Sequence, residues 1–170
     1  MINAGALLIR PWRRSDVAAL VRHANNRKIW LNLRDRFPHP YTAADAQAWL
    51  ELRAKDRGDP HNFAIEFDRQ AIGAIGLELL TDVHRMTAEI GYWIGESMWG
   101  RGFATLALKA VTEYAFRTFP LRRLQATVFE WNPASARVLE KAGYQLEGRL
   151  RNYVFKDSRV GGALMYAKIK

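Results

Sequence analysis

The sequence contains no cysteine. That absence removes a disulfide framework, a thiolate zinc site and a cysteine nucleophile together, and no metal site is expected. No run approaches the roughly 20 consecutive apolar residues that a membrane-spanning helix needs, so no membrane partner is expected. The stretch Met1–Arg10 has a short apolar patch, Ala4–Ile9, with no basic segment before it, and it does not read as a secretory leader. These absences favour the cytoplasm. Acidic residues are also in deficit, 17 against 26 basic ones, giving a net charge of +9. The basic residues are mostly arginines scattered from Arg10 to Lys170 without a dense block. Clustering marks a nucleic-acid footprint more than total charge does, so direct nucleic-acid binding is not expected.

What is present suits one folded unit. A chain of 170 residues falls within the roughly 100–200 residues of a typical domain. Hydrophobic residues form 49% of it and charged ones 25%, enough apolar surface for a core and too little charge for disorder. There is no internal repeat, low-complexity stretch or linker, and a single domain over 1–170 with its core over 7–169 is expected.

Leu7–Arg10 reads as a short strand, and Ser15 or Asp16 as the cap of a helix running to about Ala24. Asn26–Pro40 reads as irregular. Thr42 opens a helix, with Asp45 completing a capping box, and Ala46, Trp49, Leu50 and Arg53 share one face of it. Phe63, Ile65 and Phe67 alternate at a strand period, and Asp68-Arg69-Gln70 is a hairpin turn into a strand over Ala71–Leu80. After a loop over Thr81–Arg85, Ala88–Ile94 reads as a strand whose internal Gly91 marks a bulge or the close approach of another group. A long helix then carries Ala104, Ala107, Leu108, Val111, Tyr114 and Ala115 on its apolar stripe, with Thr112 elsewhere. Pro120 stops it, Arg123–Phe129 reads as a strand, and Asn132-Pro133 opens a short helix that Gly143 ends. Tyr144–Phe155 and Ala163–Ile169 close the chain as strands. The expected fold is α/β (α+β), with a central mixed, mostly antiparallel sheet of about seven strands and about four helices.

The segment Trp99-Gly100-Arg101-Gly102-Phe103-Ala104-Thr105 joins a strand to a helix. Glycines let successive N–H groups turn into one concavity, and the helix start adds unpaired donors and a positive dipole end. A diphosphate bound there would satisfy those donors without a charged side chain. A plain glycine-rich turn is the alternative, and the fingerprints of other nucleotide sites are absent.

This segment resembles the cofactor loop of the GNAT superfamily of N-acetyltransferases, Gln/Arg-x-x-Gly-x-Gly/Ala, with Gly102 and Ala104 at its last two fixed positions and Trp99 standing where the superfamily has glutamine or arginine. Glu-Ile-Gly-Tyr-Trp-Ile before the loop, Asn132-x-x-Ser135, and Lys141-Ala142-Gly143-Tyr144 through Glu147-Gly148 resemble the RimJ/RimL-like branch, which acetylates α-amino groups of ribosomal proteins. Arg10-Pro11-Trp12, Phe37 to Thr42 and the Asp45-Ala46-x-x-Trp49 helix are similar to it as well, so the resemblance spans nearly the whole chain. It implies acetyl-coenzyme A as co-substrate, held by residues 99–105 and by a strand carrying Tyr92, Trp93 and Ile94 that splays from the strand Gln125–Phe129 to admit the pantetheine arm. Gly91 is expected to form the bulge that opens the gap.

Amine acetylation poses two proton problems: the nucleophile must shed a proton, and the departing thiolate must be stabilised. Ser135, on one helical face with Val138, Leu139 and Ala142, is the expected hydroxyl near the sulfur; packing alone is the alternative. Many relatives carry a tyrosine seven positions after the asparagine, and here that position is Leu139. Asn132 is expected to cap its helix and contact the pantetheine arm. Glu89, on one strand face with Gly91 and Trp93, is the candidate base, with His39, Glu66, Glu78 and Tyr41 as rivals. Arg101, Arg137 and Lys141 are candidates for the 3′-phosphate, and Trp30, Phe37 and Tyr41 for the acceptor wall. Gly161 stands where relatives often carry an acidic residue. The expected activity is transfer of acetyl to a primary amine, a protein or peptide α-amino group ahead of a polyamine or amino sugar, by a monomer or homodimer. A non-catalytic CoA-binding or RNA-docking module is the reading from another class.

Overall fold

The computed structural model describes residues 1–56 and 58–170. Its eight strands are β1 (Ile2–Ala4), β2 (Leu7–Arg10), β3 (Asn62–Phe67), β4 (Gln70–Leu79), β5 (Thr87–Ile94), β6 (Arg123–Phe129), β7 (Gln145–Lys156) and β8 (Arg159–Ile169). They form one sheet in the order β1-β2-β3-β4-β5-β6-β8-β7. Every neighbouring pair is antiparallel except β5 and β6, which run parallel. The helices are α1 (Val17–Ala24), α2 (Arg27–Trp30), α3 (Ala43–Ala54), α4 (Phe103–Thr118) and α5 (Pro133–Lys141). The sheet thus has one strand more than expected, β1, which is too short and too weakly patterned to stand out in sequence. The segment expected to be irregular holds α2, one helical turn capped by Asn26, whose side chain accepts from the Lys28 N–H at 2.8 Å.

Local signals govern the other boundaries. Thr42 and Asp45 form a reciprocal capping box at the start of α3. Asp68 and Arg69 take left-handed backbone (φ 48° and 60°), so the tight β3–β4 turn has two residues and Gln70 already belongs to the strand. Asn132 caps α5, Pro133 starts it, and Gly143 at φ 84° ends it.

Two packed layers follow. Against one face of the sheet, α4 buries Ala107, Leu108, Val111 and Ala115 beside Ile65, Ile75, Ile90 and Leu124. Thr112, expected off this stripe, is buried too, because its hydroxyl reaches the Tyr144 hydroxyl at 2.7 Å and so satisfies both polar groups. On the other face, α1 and α3 pack through Leu20, Ala24, Ala46 and Leu50 around Tyr41. Asp16 does not act as a simple cap. Arg10, at 2% exposure, forks onto both Asp16 oxygens at 2.8 Å and onto Glu66 at 2.5 Å, tying β2, β3 and the entry to α1 together.

Removing one partner of a buried ion cluster strands the others without solvation. Arg10→Leu should therefore lower unfolding free energy by about 3–5 kcal/mol in urea denaturation. A loss within experimental error would show that the cluster is solvated.

Candidate active site

The central event in the sheet is the parting of β5 and β6. Their register runs Thr87↔Arg123, Ala88↔Leu124, Glu89↔Gln125 and then stops. The pairing of β5 with β4 continues without a shift from Leu79↔Ala88 to Gly73↔Ile94, so Gly91 forms no bulge, contrary to expectation. The gap opens because β6 leaves. Gly91 instead leaves the wall bare: a Cβ there would meet nothing within 4 Å.

Side bonds hold the tips of the two strands apart. The Trp99 indole N–H donates to the Ile94 carbonyl at 2.7 Å, and the Asn132 N–H donates to the Phe129 carbonyl at 2.8 Å. The Gly95 N–H donates to the Ile72 carbonyl, which directs the main-chain groups of odd-numbered β5 residues toward β4. By alternation, those of Tyr92 face the gap. The Glu130 N–H to Gly162 carbonyl bond directs even-numbered β6 residues toward β8 in the same way, so the groups of Thr127 face the gap from the other side. Beyond Glu89↔Gln125, neither Tyr92 nor Thr127 has a strand partner across it.

At the end of β5 the loop enters α4 through two glycines in left-handed conformation, Gly100 (φ 74°) and Gly102 (φ 76°). The Trp99 N–H is taken by the Glu96 carbonyl, so Trp99 supplies no main-chain donor, and the first bond internal to the helix is from Leu106 to the Gly102 carbonyl. Among the described residues, the N–H groups from Gly100 through Thr105 have no acceptor. Free donors of this kind at a helix N-terminus are the groups that an anion can satisfy. Arg101 turns away from it: its guanidinium lies 4.7 Å from the rings of both Phe67 and Phe103. Arg137 and Lys141, by contrast, line the cleft from α5.

Ser135 sits in the first turn of α5, where its N–H donates to the Asn132 Oδ1 at 3.2 Å. Its hydroxyl is 2.9 Å from that of Tyr92, so α5 and β5 are joined across the gap's helical side. Leu139 is fully buried. Sequence reasoning missed the Tyr92 side chain. Strand alternation would have placed its ring on the face of Ile90 and Ile94, but nothing local reveals that α5 meets it there.

Glu89, Gly91 and Trp93 share the opposite face. Glu89 lies on the last β5–β6 rung and directly across from Glu78 on β4. Like charges so placed repel unless a cation intervenes. Arg34 bridges the two carboxylates, and Arg36 adds a second contact to Glu78 at 3.3 Å. Phe37 stacks 5.0 Å from Tyr41 and meets Trp93 edge-on at 5.8 Å, so both candidate wall aromatics flank the cleft. Trp30 is not part of the lining; its ring lies between His39 and the Lys156 ammonium, which is 3.7 Å from the ring centre and paired with Asp35 at 2.7 Å. Glu66 is committed to Arg10 and Arg13 and does not reach the cleft. At Gly161 the ring of Trp131 occupies the place of a side chain, 2.4 Å from where a Cβ would lie.

Both faces open into one continuous cleft of about 1820 Å³. That exceeds the roughly 300–1,000 Å³ of a pocket for one small ligand. Among the described residues no group of three or more histidines or carboxylates could hold a metal ion, and no helix is long and apolar enough to cross a membrane.

Residues 6–145 match the model of the Acetyltransferase (GNAT) domain family. The chain belongs to that family of N-acetyltransferases, in its RimJ/RimL-like branch. It is 33% identical over 113 residues to the ribosomal-protein-serine acetyltransferase of Escherichia coli strain K12, covering 66% of this chain and 63% of that one. It is 28% identical over 171 residues to the spermidine N(1)-acetyltransferase of the same strain, covering 96% and 86%. The structure of RimJ of Mycobacterium smegmatis in complex with CoA-disulfide is similar with a TM-score of 0.84 and 28% identity, covering 99% of this chain and 84% of the other.

Burial pushes the hydroxyls of Tyr41, Tyr92 and Tyr144 up from 10.0 to about 12. A folded-state value raised in this way supports stability below pH 10 and withdraws it as pH rises toward 12. Alkaline absorbance titration of the six tyrosines should show this group ionising last, together with loss of structure. A single transition near pH 10 in the folded protein would contradict the burial.

Proposed function

We propose that this chain transfers the acetyl group of acetyl-coenzyme A to the α-amino group of a peptide or protein, by direct attack. The observation that carries the reading is the pairing of six free N–H donors, Gly100 to Thr105, with an open strand edge at Tyr92. The donors suit the pyrophosphate and the edge suits the amide groups of the pantetheine arm, which add to it as an extra strand would. Arg137 and Lys141 suit the remaining phosphate. The arm brings the thioester to the gap, where the helical side presents Ser135 and the other side presents Glu89.

The residues then divide the proton work. An α-amino group has a pKa of about 8, so near neutrality the acceptor sheds one proton before it attacks and a second once its nitrogen is bonded to carbon. Glu89 takes each in turn through water and passes it to solvent, using the oxygen that Arg34 leaves free. The nitrogen–carbon bond forms, the carbon–sulfur bond breaks, and the electron pair left on sulfur is met by the Ser135 hydroxyl. Asn132 holds the first turn of α5 so that this hydroxyl stays in place.

The charge balance of the acceptor side favours a peptide terminus over a polyamine. Glu78, Glu89 and Asp35 are each paired with Arg34, Arg36 or Lys156, and Asp45 caps α3. Among the described residues, the acceptor side offers no unpaired acidic trough for a polycation. Phe37, Tyr41 and Trp93 offer apolar wall for the first side chains of a peptide.

A thiol-release assay with acetyl-coenzyme A should show turnover with peptides bearing a free N-terminus and little with spermidine. Faster turnover with spermidine would reverse the assignment. Gly102→Asp puts a side chain and a negative charge on a left-handed residue facing the anion site. It should weaken acetyl-coenzyme A binding by calorimetry at least ~100-fold, since two like charges about 4 Å apart near a protein surface repel by about 4 kcal/mol. Unchanged affinity would refute the loop assignment. Ser135→Ala should lower kcat by about tenfold or more and spare cofactor binding.

A further inference from the structure

We infer that Tyr92 is the positioning residue for Ser135, holding its hydroxyl so that the Ser135 proton is directed at the departing sulfur. This rests on the acetyl-transfer reading above and adds to it a residue with a defined task.

Tyr92 is built into the site twice. Its main chain forms the open edge of β5, and its ring passes through the sheet's helical side to α5. Its hydroxyl lies 2.9 Å from the Ser135 Oγ and 3.3 Å from the Ser135 carbonyl oxygen. Both residues line the cleft. Helix α5 carries no other hydroxyl: its sequence is Pro-Ala-Ser-Ala-Arg-Val-Leu-Glu-Lys, and Leu139 is 0% exposed.

A serine hydroxyl has one proton and two lone pairs, and it rotates to whatever partner is nearest. In a helix its usual choice is the carbonyl one turn back. The phenol has one proton, and Oγ at 2.9 Å is a closer acceptor than the carbonyl at 3.3 Å; donated to Oγ, it fills a lone pair and leaves the serine proton for a third group. In the cleft, that group is the sulfur of the thioester. Burial raises the Tyr92 phenol to about 12, so it remains a donor throughout the neutral range.

No proton leaves Tyr92 or Ser135 in this scheme. As the carbon–sulfur bond breaks, the sulfur keeps the electron pair and accepts a hydrogen bond from Ser135. The two amine protons depart one after the other through Glu89 and water, and solvent protonates the released thiolate. Polarisation by the phenol makes the serine a stronger donor than either hydroxyl alone.

The test is a double-mutant cycle with Tyr92→Phe, Ser135→Ala and the pair together. Thiol release with acetyl-coenzyme A and a peptide amine gives kcat, calorimetry gives the acetyl-coenzyme A Kd, and thermal midpoints confirm folding. Tyr92→Phe should lower kcat about tenfold with Kd changed by less than about twofold, and the double variant should match Ser135→Ala, because a positioner has no effect once its target is gone. Ser135→Thr, which keeps the hydroxyl, should retain the dependence on Tyr92. An unchanged kcat in Tyr92→Phe, additive losses, or a weakened Kd at constant kcat would each overturn the inference. Absence of thiol release from the wild type with any amine would instead defeat the acetyl-transfer reading, and the inference with it.

Discussion

The structure depends on one failure of pairing. After Glu89↔Gln125, β5 and β6 part, and main-chain groups that would close a ladder are left open. An unmade hydrogen bond costs free energy where water is excluded, so such an edge persists only if something keeps it solvated or later covers it. Here both tips are tied off by other bonds, from Trp99 to Ile94 and from Asn132 to Phe129. The strands cannot zip shut without breaking them. Trp99, which stands at the motif position where glutamine or arginine is usual, makes the first of these bonds with its indole N–H.

The gap also partitions the chemistry. Because β5 side chains alternate, Tyr92 faces the helices while Glu89 and Trp93 face α1 and α3. The free donors at the start of α4 lie at the end of the same strand. One strand therefore presents a run of free N–H donors at its end, an open edge along its length, a hydroxyl pair on one face and a carboxylate on the other. Two relatives of the chain are named for different amines, one for a ribosomal protein and one for spermidine. On the face of Glu89, Arg34 and Arg36 neutralise the carboxylates, and the proposed choice of a peptide amine rests on that pairing.

Much of the fold was legible because its signals are local. The Thr42–Asp45 capping box, the Asn132-Pro133…Gly143 helix and the glycines of the loop act within a few residues, and the structure places each of those elements within a residue or two of its expected bounds. What escaped depends on distant partners. Arg10 is buried because Glu66, arriving from another strand, joins Asp16 in neutralising it. Thr112 is buried because Tyr144 meets it. Arg101 looked like a phosphate ligand by its position in the loop, yet two phenylalanine rings draw it aside. Gly91 looked like a bulge, whereas the opening lies in a strand thirty-odd positions later. A sequence shows which groups are available, and tertiary contacts decide which are already engaged.

In the proposed reaction the free N–H groups of residues 100–105 and the open edge at Tyr92 receive the acyl donor. Amide hydrogen exchange with and without acetyl-coenzyme A tests this most directly, because each unpaired N–H is a separate reporter. Exchange should slow at Gly100 through Thr105, at Tyr92 and at Thr127, with little change in β1, β2 and α3. Protection confined to other elements, or unaltered exchange at these positions with the ligand saturating, would contradict it.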